Sequence, residues 1–558
     1  MRYIGWAAVG AALCVVCFFA YSFLPLAAPL MFNSPDENAN HVFAAGFAET
    51  GQMHRLEALN IRLDDAVHPR SVKVVDGVQV PGGFVGLPLI YGILGKAFGV
   101  RNIPLVTPVL ALLGVIAWGL LLRRRYGNAI GLLAAFLLAI NPAWWYWSAR
   151  TMMPNVPFIS LLLISSYFFI NRPFASFVRR RGAEGMHLLR VSDYAIAGVF
   201  SGLALAVRPV ELYWLILTAL AVAVVVRKLP WRGVIVTFAF MLMTLAPFAI
   251  LNSSLYGGLF STGYGDVVAT VSESAHQGTG ARLLGPLRPM LFPLGFAPRI
   301  AVANFWTYGL KFFWGWTVLV GAAVLLLLRD RRHRGKKPLP TGSKAFLTAG
   351  AVMTVWLAFF YGSYVVTDNP DPDAVTIGVS YTRYWLPLFV MSTLPVAVAI
   401  VRLLREHAKK RWIKPVVAIA LVLMMASSGH VVFSSEQEGL SAVRATLVDS
   451  YATHRVVIGL TESNALIVVD RGDKLFYPER AVMQPLRSDR TYDLLPKAVQ
   501  AAPTYYYGIT FPERDFNHLT EVLLAPRGLD IEPLITIGEE TLYRFSALDE
   551  DSDERSEE

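Results

Sequence analysis

The sequence predicts a polytopic α-helical membrane protein that carries an extracytoplasmic α/β domain at its C-terminal end. Three observations predict it. Of the 558 residues, 55% are hydrophobic and only 16% charged, where a soluble protein carries roughly a quarter; the mean hydropathy is +0.48. Apolar runs of about 17 residues or more, long enough to span a bilayer, recur along most of the chain. Basic residues cluster between those runs, at Arg123-Arg124-Arg125, from Arg172 to Arg190, and at 227–233, 329–337 and 405–414. The net charge of +10 is thus a topological signal, positive residues retained on the cytoplasmic side, and a nucleic-acid partner is excluded.

Placing the five basic clusters in the cytoplasm puts spans at 4–30, 103–122, 128–148, 154–171, 194–207, 211–226, 233–251, 308–328, 345–361, 384–404 and 415–433. That is about eleven helices, in a multi-pass plasma (inner) membrane protein with a cytoplasmic N-terminus. The first run begins at basic Arg2 but is too long for a signal peptide, and no small-residue cleavage site follows, so it reads as a retained helix. Cys14 and Cys17 lie within it; a lipid-embedded C-x-x-C without a partner motif reads as two small packing residues. The segment 81–100, "PGGFVGLPLIYGILGKAFGV", is apolar but broken by glycines and Pro88, and reads as a helix along the outer interface. The loops 31–101, 252–305 and 361–383 then share the outer side with the C-terminal region.

From about Glu436 the composition turns soluble. "RVVIGLTES" and "ALIVVDRGD" carry β-branched runs, "YDLLPKAVQAA" and "RDFNHLTEVLLA" read as amphipathic helices, and "PLITIGEETLYRF" as a hairpin. The chain divides into a membrane domain 1–433, a soluble domain 434–546 and an acidic tail 547–558, whose "DEDSDERSEE" has the composition of a disordered segment.

The chemistry concentrates on the outer side. "FNSPDENANHVF" at 32–43 puts Asp36 and Glu37 at the lipid edge, in what Asn33 and Pro35 mark as a turn. Arg150, Arg208 and Arg383 close or open predicted spans on that same side. Each alone could snorkel to headgroup phosphates, but three from separate helices suit a pocket that grips a phosphate bidentately. Two adjacent carboxylates in an extended turn point apart, so one could be a base and the other hold a metal or the acceptor. A divalent metal (Mg or Mn) held by Glu37 and His41 is the weaker reading, since two ligands at that spacing specify little; no other cofactor is implied. His68 and His276 sit in other outer loops. "NPAWWYWSAR" at 141–150 reads as an interfacial aromatic belt rather than a sugar-stacking surface. The glycines of "LYGGLFSTGYGD" at 255–266 fit no nucleotide fingerprint; the segment reads as a tight outer loop able to line a substrate groove.

In order, "SPDENANH", "AETGQ", "HPRS", "GLPLIYGILGKAFG", "SARTMMPNVPF", "ALAVRPVELY", "LYGGLFSTGY" and "YTRYWLPLF" resemble the layout of the GT-C membrane glycosyltransferases, nearest to the protein O-mannosyltransferase and aminoarabinose-transferase groups. The resemblance covers roughly residues 1–430 and is one of layout, with the acidic pair as its specific motif. It implies a catalytic or acceptor-activating role for Asp36 with Glu37 second, and a polyprenyl-phosphate sugar donor whose phosphate meets Arg150, Arg208 and Arg383. His41, Arg70, Asn155, Tyr264 and Tyr381 are the further pocket candidates. The chain departs from the family pattern at Asn155, where a second acidic residue is usual, and at His41, one residue later than the usual position. The expected function is inverting transfer of a sugar to a glycan, lipid or protein acceptor at the outer face of the bilayer. The alternative is a transporter or flippase of a lipid-linked solute. Transporters place polar groups at the bilayer midplane within repeated halves; here the ionisable groups crowd one side and no repeat is evident.

Overall fold

A computed structural model describes residues 2–180, 187–226, 229–265, 292, 295–333, 341–366, 369, 371 and 374–548. Most of the loop 252–305, including His276, and residues 549–558 of the acidic tail lie outside them. Helices stand at all eleven predicted positions. Seven are long and apolar enough to cross a membrane, and two bent pairs bring that to nine among the described residues. Arg2–Tyr21 and His187–Val207, 20 and 21 residues long, occupy the other two positions.

The spans sort into a centre and a rim. Leu386–Glu406 and Val100–Tyr126 have 56% and 50% of their apolar windows covered by protein, whereas Trp231–Tyr256 and Ile413–Ser434 have only 6% and 11%. The rim helices are apolar all round because lipid, not water, is their second solvent. At the centre, Val106–Tyr126 packs on Asn155–Asn171, which in turn packs on His187–Val207. The bent pair Asn128–Ala139 and Pro142–Ala149 turns by 57°, where Asn141 accepts from Trp144 N at 3.1 Å and Pro142 begins the second piece. The turn drives the second piece into the bundle, so Trp144 and Trp147 are buried; for these two residues the expected lipid-facing aromatic belt is corrected.

The first span is shorter than expected. It ends at Tyr21, whose hydroxyl donates to Ala139 O at 2.8 Å, and a five-residue helix, Phe23–Ala27, follows. Pro29 forces Ala28 out of the helical region (φ −122°, ψ 159°). The acidic pair is not in a turn but in the first turn of a helix, Pro35–Thr50. Ser34 is its N-cap, Pro35 fills the first position, and Glu37 returns a side-chain bond to the cap, a complete capping box. Strands β1 (Arg55–Leu56), β2 (Val72–Val75) and β3 (Val78–Pro81) form a small antiparallel sheet in the order β1-β3-β2. The helix expected along the interface is Gly86–Phe98, 13 residues against the roughly 20 a span needs. It enters the bundle at Gly86, where a Cβ would lie 2.1 Å from Ala206 O.

The C-terminal domain hangs from the helix Leu440–Leu460. That helix takes up the Val456–Ile458 run expected as a strand, because Leu440, Val443, Leu447 and Val457 fall on one buried face. Strands β4 (Leu466–Val469), β5 (Ala481–Met483), β6 (Thr504–Ile509), β7 (Leu529–Ile537) and β8 (Glu540–Ala547) order as β5-β4-β6-β8-β7. β4 runs parallel to both its neighbours, and β7–β8 is the expected hairpin. Strand alternation separates two faces. Leu466, Val468, Tyr506 and Tyr543 pack with Leu494 and Leu495 of the helix Asp489–Ala501. Ile467, Val469, Tyr505 and Tyr507 share a core with Phe43, Met53, Val72 and Val80 of the first outer loop. The domain is therefore fused to that loop by a common apolar core.

Candidate active site

The four segments expected on the outer side all contribute residues around one carboxylate. Asp36 lines a cavity of about 570 Å³ together with Ser71 and Arg70 of the first loop, Trp147, Arg150, Met153, Arg383, Gly378, Glu438, Arg471 and Lys474. It also lines an adjoining recess of about 60 Å³, with Gly83, Arg208, Tyr264, Arg383 and Tyr384. Ser71 donates to Asp36 Oδ1 at 2.5 Å. Ser71 holds a left-handed φ of 64°, uncommon for a non-glycine residue and a mark of local strain near function. Its carbonyl is pinned by Gly82 N at 2.9 Å, at a point where a Cβ on Gly82 would sit 2.6 Å from that oxygen. Met152 and Gln437, both beside the large cavity, share the left-handed geometry, with φ of 64° and 61°.

Glu37 points the other way. Its Oε1 accepts from Arg150 Nε at 2.8 Å, and its Oε2 accepts from the Asn33 and Ser34 amides, each at 3.0 Å. The pair is almost fully buried, with side chains 3% and 4% exposed, and Arg150 Nη1 donates to the Tyr146 hydroxyl at 3.0 Å. Successive helical residues project about 100° apart, so the two carboxylates part into an open site and a closed ion pair.

The three arginines converge but differ in state. Arg208 is committed like Arg150: its Nε donates to Glu211 Oε1 at 2.8 Å and its Nη2 to the Tyr361 hydroxyl at 2.9 Å. Tyr361 donates in turn to Glu211 Oε1 at 2.7 Å, and Trp214 Nε1 bonds Glu211 Oε2. Arg383 lines both cavities. It lies over the Trp147 and Tyr384 rings, each at 5.3 Å, and donates to Ser380 Oγ at 2.6 Å and Met153 Sδ at 2.8 Å.

Among the other candidates, Tyr264 packs on Phe84 at 4.9 Å and faces the recess that holds Asp36; burial pushes its phenol pKa up. Arg70 lines the large cavity while forking onto Asp473. Asn155 lies behind the wall, its Nδ2 donating to Arg383 O at 3.4 Å. Tyr381 is internal scaffolding, stacked on Trp385 at 5.4 Å with its hydroxyl accepting from Asn304 Nδ2 at 2.9 Å. His41 is buried against Phe32, its Nε2 unpartnered in the described structure and its pKa pushed down to about 4 by burial.

The Glu37–His41 pair does not fit a divalent ion. Both Glu37 oxygens are taken by a guanidinium and two amides, and among the described residues no three His, Cys, Asp or Glu side chains gather as ligands. The sequence reading missed Ser71, Glu211, Glu438, Arg471 and Lys474. Only Glu211 had a local signal, three residues after Arg208; the others reach the site by long-range folding.

No protein-family model matches the sequence, and no curated protein matches it. Solved structures do. ArnT from Cupriavidus metallidurans bound to undecaprenyl phosphate aligns with a TM-score of 0.60 at 12% identity, over 97% of this chain and 98% of that one. Its apo state aligns at 0.54 and 13%, over 98% of both. The Archaeoglobus fulgidus oligosaccharyltransferase in complex with Zn and sulfate aligns at 0.53 and 12%, over 91% of this chain and 68% of that one. From its first span through its C-terminal sheet, the chain shares its fold with ArnT and with the oligosaccharyltransferase of Archaeoglobus fulgidus.

Proposed function

We propose that the protein transfers a sugar from a polyprenyl-phosphate donor to an acceptor at the outer face of the plasma (inner) membrane, with inversion at the anomeric carbon. The observation that carries this reading is the meeting of Asp36 and Arg383 on the walls of one cavity. An acceptor hydroxyl (or amide) attacks the anomeric carbon from the face opposite the phosphate, and its proton passes to the Asp36 carboxylate. The bond from the anomeric carbon to the phosphate oxygen breaks, and the polyprenyl phosphate leaves with the electron pair. Arg383 stabilises that charge directly, while Arg150 and Arg208, neutralised by Glu37 and Glu211, shape the pocket behind it. On the other side of the Glu37–Arg150 pair lies a third cavity of about 340 Å³, lined by Leu24, Leu30, Met31, Phe32 and Leu447 with Arg101, a lining suited to an isoprenoid chain. The acceptor class is a protein, lipid or glycan.

The test uses purified protein in lipid with a panel of labelled polyprenyl-phosphate sugars, following sugar release with and without a membrane extract as acceptor source. Wild type is expected to release sugar, and Asp36→Asn to bind donor without releasing it. Equal activity in Asp36→Asn would remove that residue from catalysis. A wild type that neither binds nor consumes any donor would bring the transporter reading forward.

A further inference from the structure

We propose that Arg471 and Lys474, on the C-terminal domain, bind the phosphate of the lipid carrier in the Asp36 cavity. The proposal rests on the function proposed above and assigns part of its phosphate site to a domain outside the membrane. Both residues line the 570 Å³ cavity alongside Asp36 and Arg383. Two other cations on that wall have carboxylate partners: Arg150 has Glu37 and Arg70 has Asp473. Among the described residues Lys474 Nζ has a single acceptor, the backbone carbonyl of Asn33, and an ammonium has three donors to place. Around it stand Glu37, Arg150, Asp473 and Arg70; burial, with the two guanidiniums against the two carboxylates, holds its pKa below the ordinary lysine value. An anion entering the cavity would restore what burial removes. Among the described residues no hydrogen bond or ion pair engages the exposed Arg471 guanidinium.

The position of these two cations is set by the same short loop that orients Asp36. Arg70 donates from its backbone N to Asp473 Oδ2 at 2.7 Å and from Nη2 to Oδ1 at 2.6 Å, and the same Nη2 reaches Arg471 O at 2.8 Å. The next residue, Ser71, bonds Asp36. Asn38 Nδ2, two residues beyond Asp36 in the same helix, donates to Tyr477 O at 3.0 Å. Residues 70 and 71 thus tie base and cations into one frame, so that a phosphate seated on Arg471, Lys474 and Arg383 would leave its anomeric carbon toward Asp36. Such preorganised donors need no rearrangement as the leaving charge develops.

The test measures affinity of the full chain in nanodiscs for undecaprenyl phosphate, undecaprenol and phosphatidic acid. Lys474→Ala and Arg471→Ala are each expected to weaken undecaprenyl phosphate binding about 10-fold, and together about 100-fold, the size of a lost charge-assisted hydrogen bond. Undecaprenol binding should stay unchanged. If the double variant binds undecaprenyl phosphate like wild type, the inference fails and the proposed function stands. If wild type binds undecaprenyl phosphate no better than undecaprenol, the donor reading itself fails. If the variants lose phosphatidic acid binding instead, the two cations serve an acceptor headgroup and their assignment to the carrier is overturned. Should the alanine variants loosen the domain contact, seen as faster hydrogen exchange over residues 33–38, Arg471→Lys with Lys474→Arg decides. Affinity within about threefold of wild type supports the phosphate role, and a loss equal to that of the alanines overturns it.

Discussion

Two sets of charge meet around the Asp36 cavities, a closed lower layer and an open upper layer, and they are built differently. In the lower layer, Arg150–Glu37 and Arg208–Glu211 are buried ion pairs whose arginines donate further to tyrosine hydroxyls, and Glu211 also accepts from Trp214 and Tyr361. In the upper layer, among the described residues, Asp36 is met by a hydroxyl and Lys474 by a backbone carbonyl, and Arg383 counts a hydroxyl and a thioether among its partners. Desolvated charges persist only when opposite charge and hydrogen bonds offset the loss of water, and the lower layer meets that condition by itself. The upper layer keeps its charges beside open volume, where a ligand can complete them. Residue type does not distinguish the layers, since each contains arginine and a carboxylate; partnership does.

The difference can be broken most sharply at the two adjacent carboxylates. Asp36→Asn is expected to lower sugar transfer by about 10²–10⁴-fold, the range for losing a general base, with thermal stability in nanodiscs unchanged. A stability loss of the same size as that of a lower-layer variant would place Asp36 among the structural charges. Glu37→Gln should do the opposite. Removing one partner of a buried pair costs about 3–5 kcal/mol, so unfolding should come earlier, and Glu37→Gln with Arg150→Met should recover part of the loss. Additive loss in that double variant, read by denaturation, would show that the pair is not a unit.

The join between the layers and the C-terminal domain is tested by Asp473→Asn. It weakens a charge-assisted fork worth about 1.5–3 kcal/mol and should raise hydrogen exchange over 67–73 and 470–476 while leaving the membrane helices protected. The effect at His41 is silent at neutral pH and appears only on acidification. The imidazole is buried and neutral, with a pKa held at about 4 against an ordinary 6.5, so the unfolded chain binds the proton more readily. Its contribution to stability is complete above pH 6.5 and is lost as pH falls toward 4. A His41→Phe variant should flatten the stability–pH curve across that window; an unchanged slope would show that another group titrates there.

Much of this was legible beforehand, and the exceptions are instructive. The spans could be read because a bilayer selects on length and apolarity, which are local. The segment 81–100 is apolar enough to span, and it was the placing of the basic clusters on one side that set it apart from the spans. The S-x-x-E of Ser34 to Glu37 was a capping box in plain view, yet the proline and asparagine around it read as a turn; the helix forms because the cap and Pro35 favour the same start. The Val456–Ile458 run read as a strand by residue type, and the apolar spacing back to Leu440 made it helical. Ser71, Arg471 and Lys474 had no local signal at all.

By itself the sequence determined a multi-span membrane chain and the acidic pair at the edge of the loop that follows its first span. These depend on transfer free energies and spacing, which each segment carries alone. Tertiary structure decided which carboxylate is closed in an ion pair and which faces open space. It also decided that two cations more than 400 residues from Asp36 share its cavity. Those outcomes rest on partners brought together by the common core of the first loop and the C-terminal sheet, and the environment of a charge is fixed by what surrounds it in space, not by its neighbours along the chain.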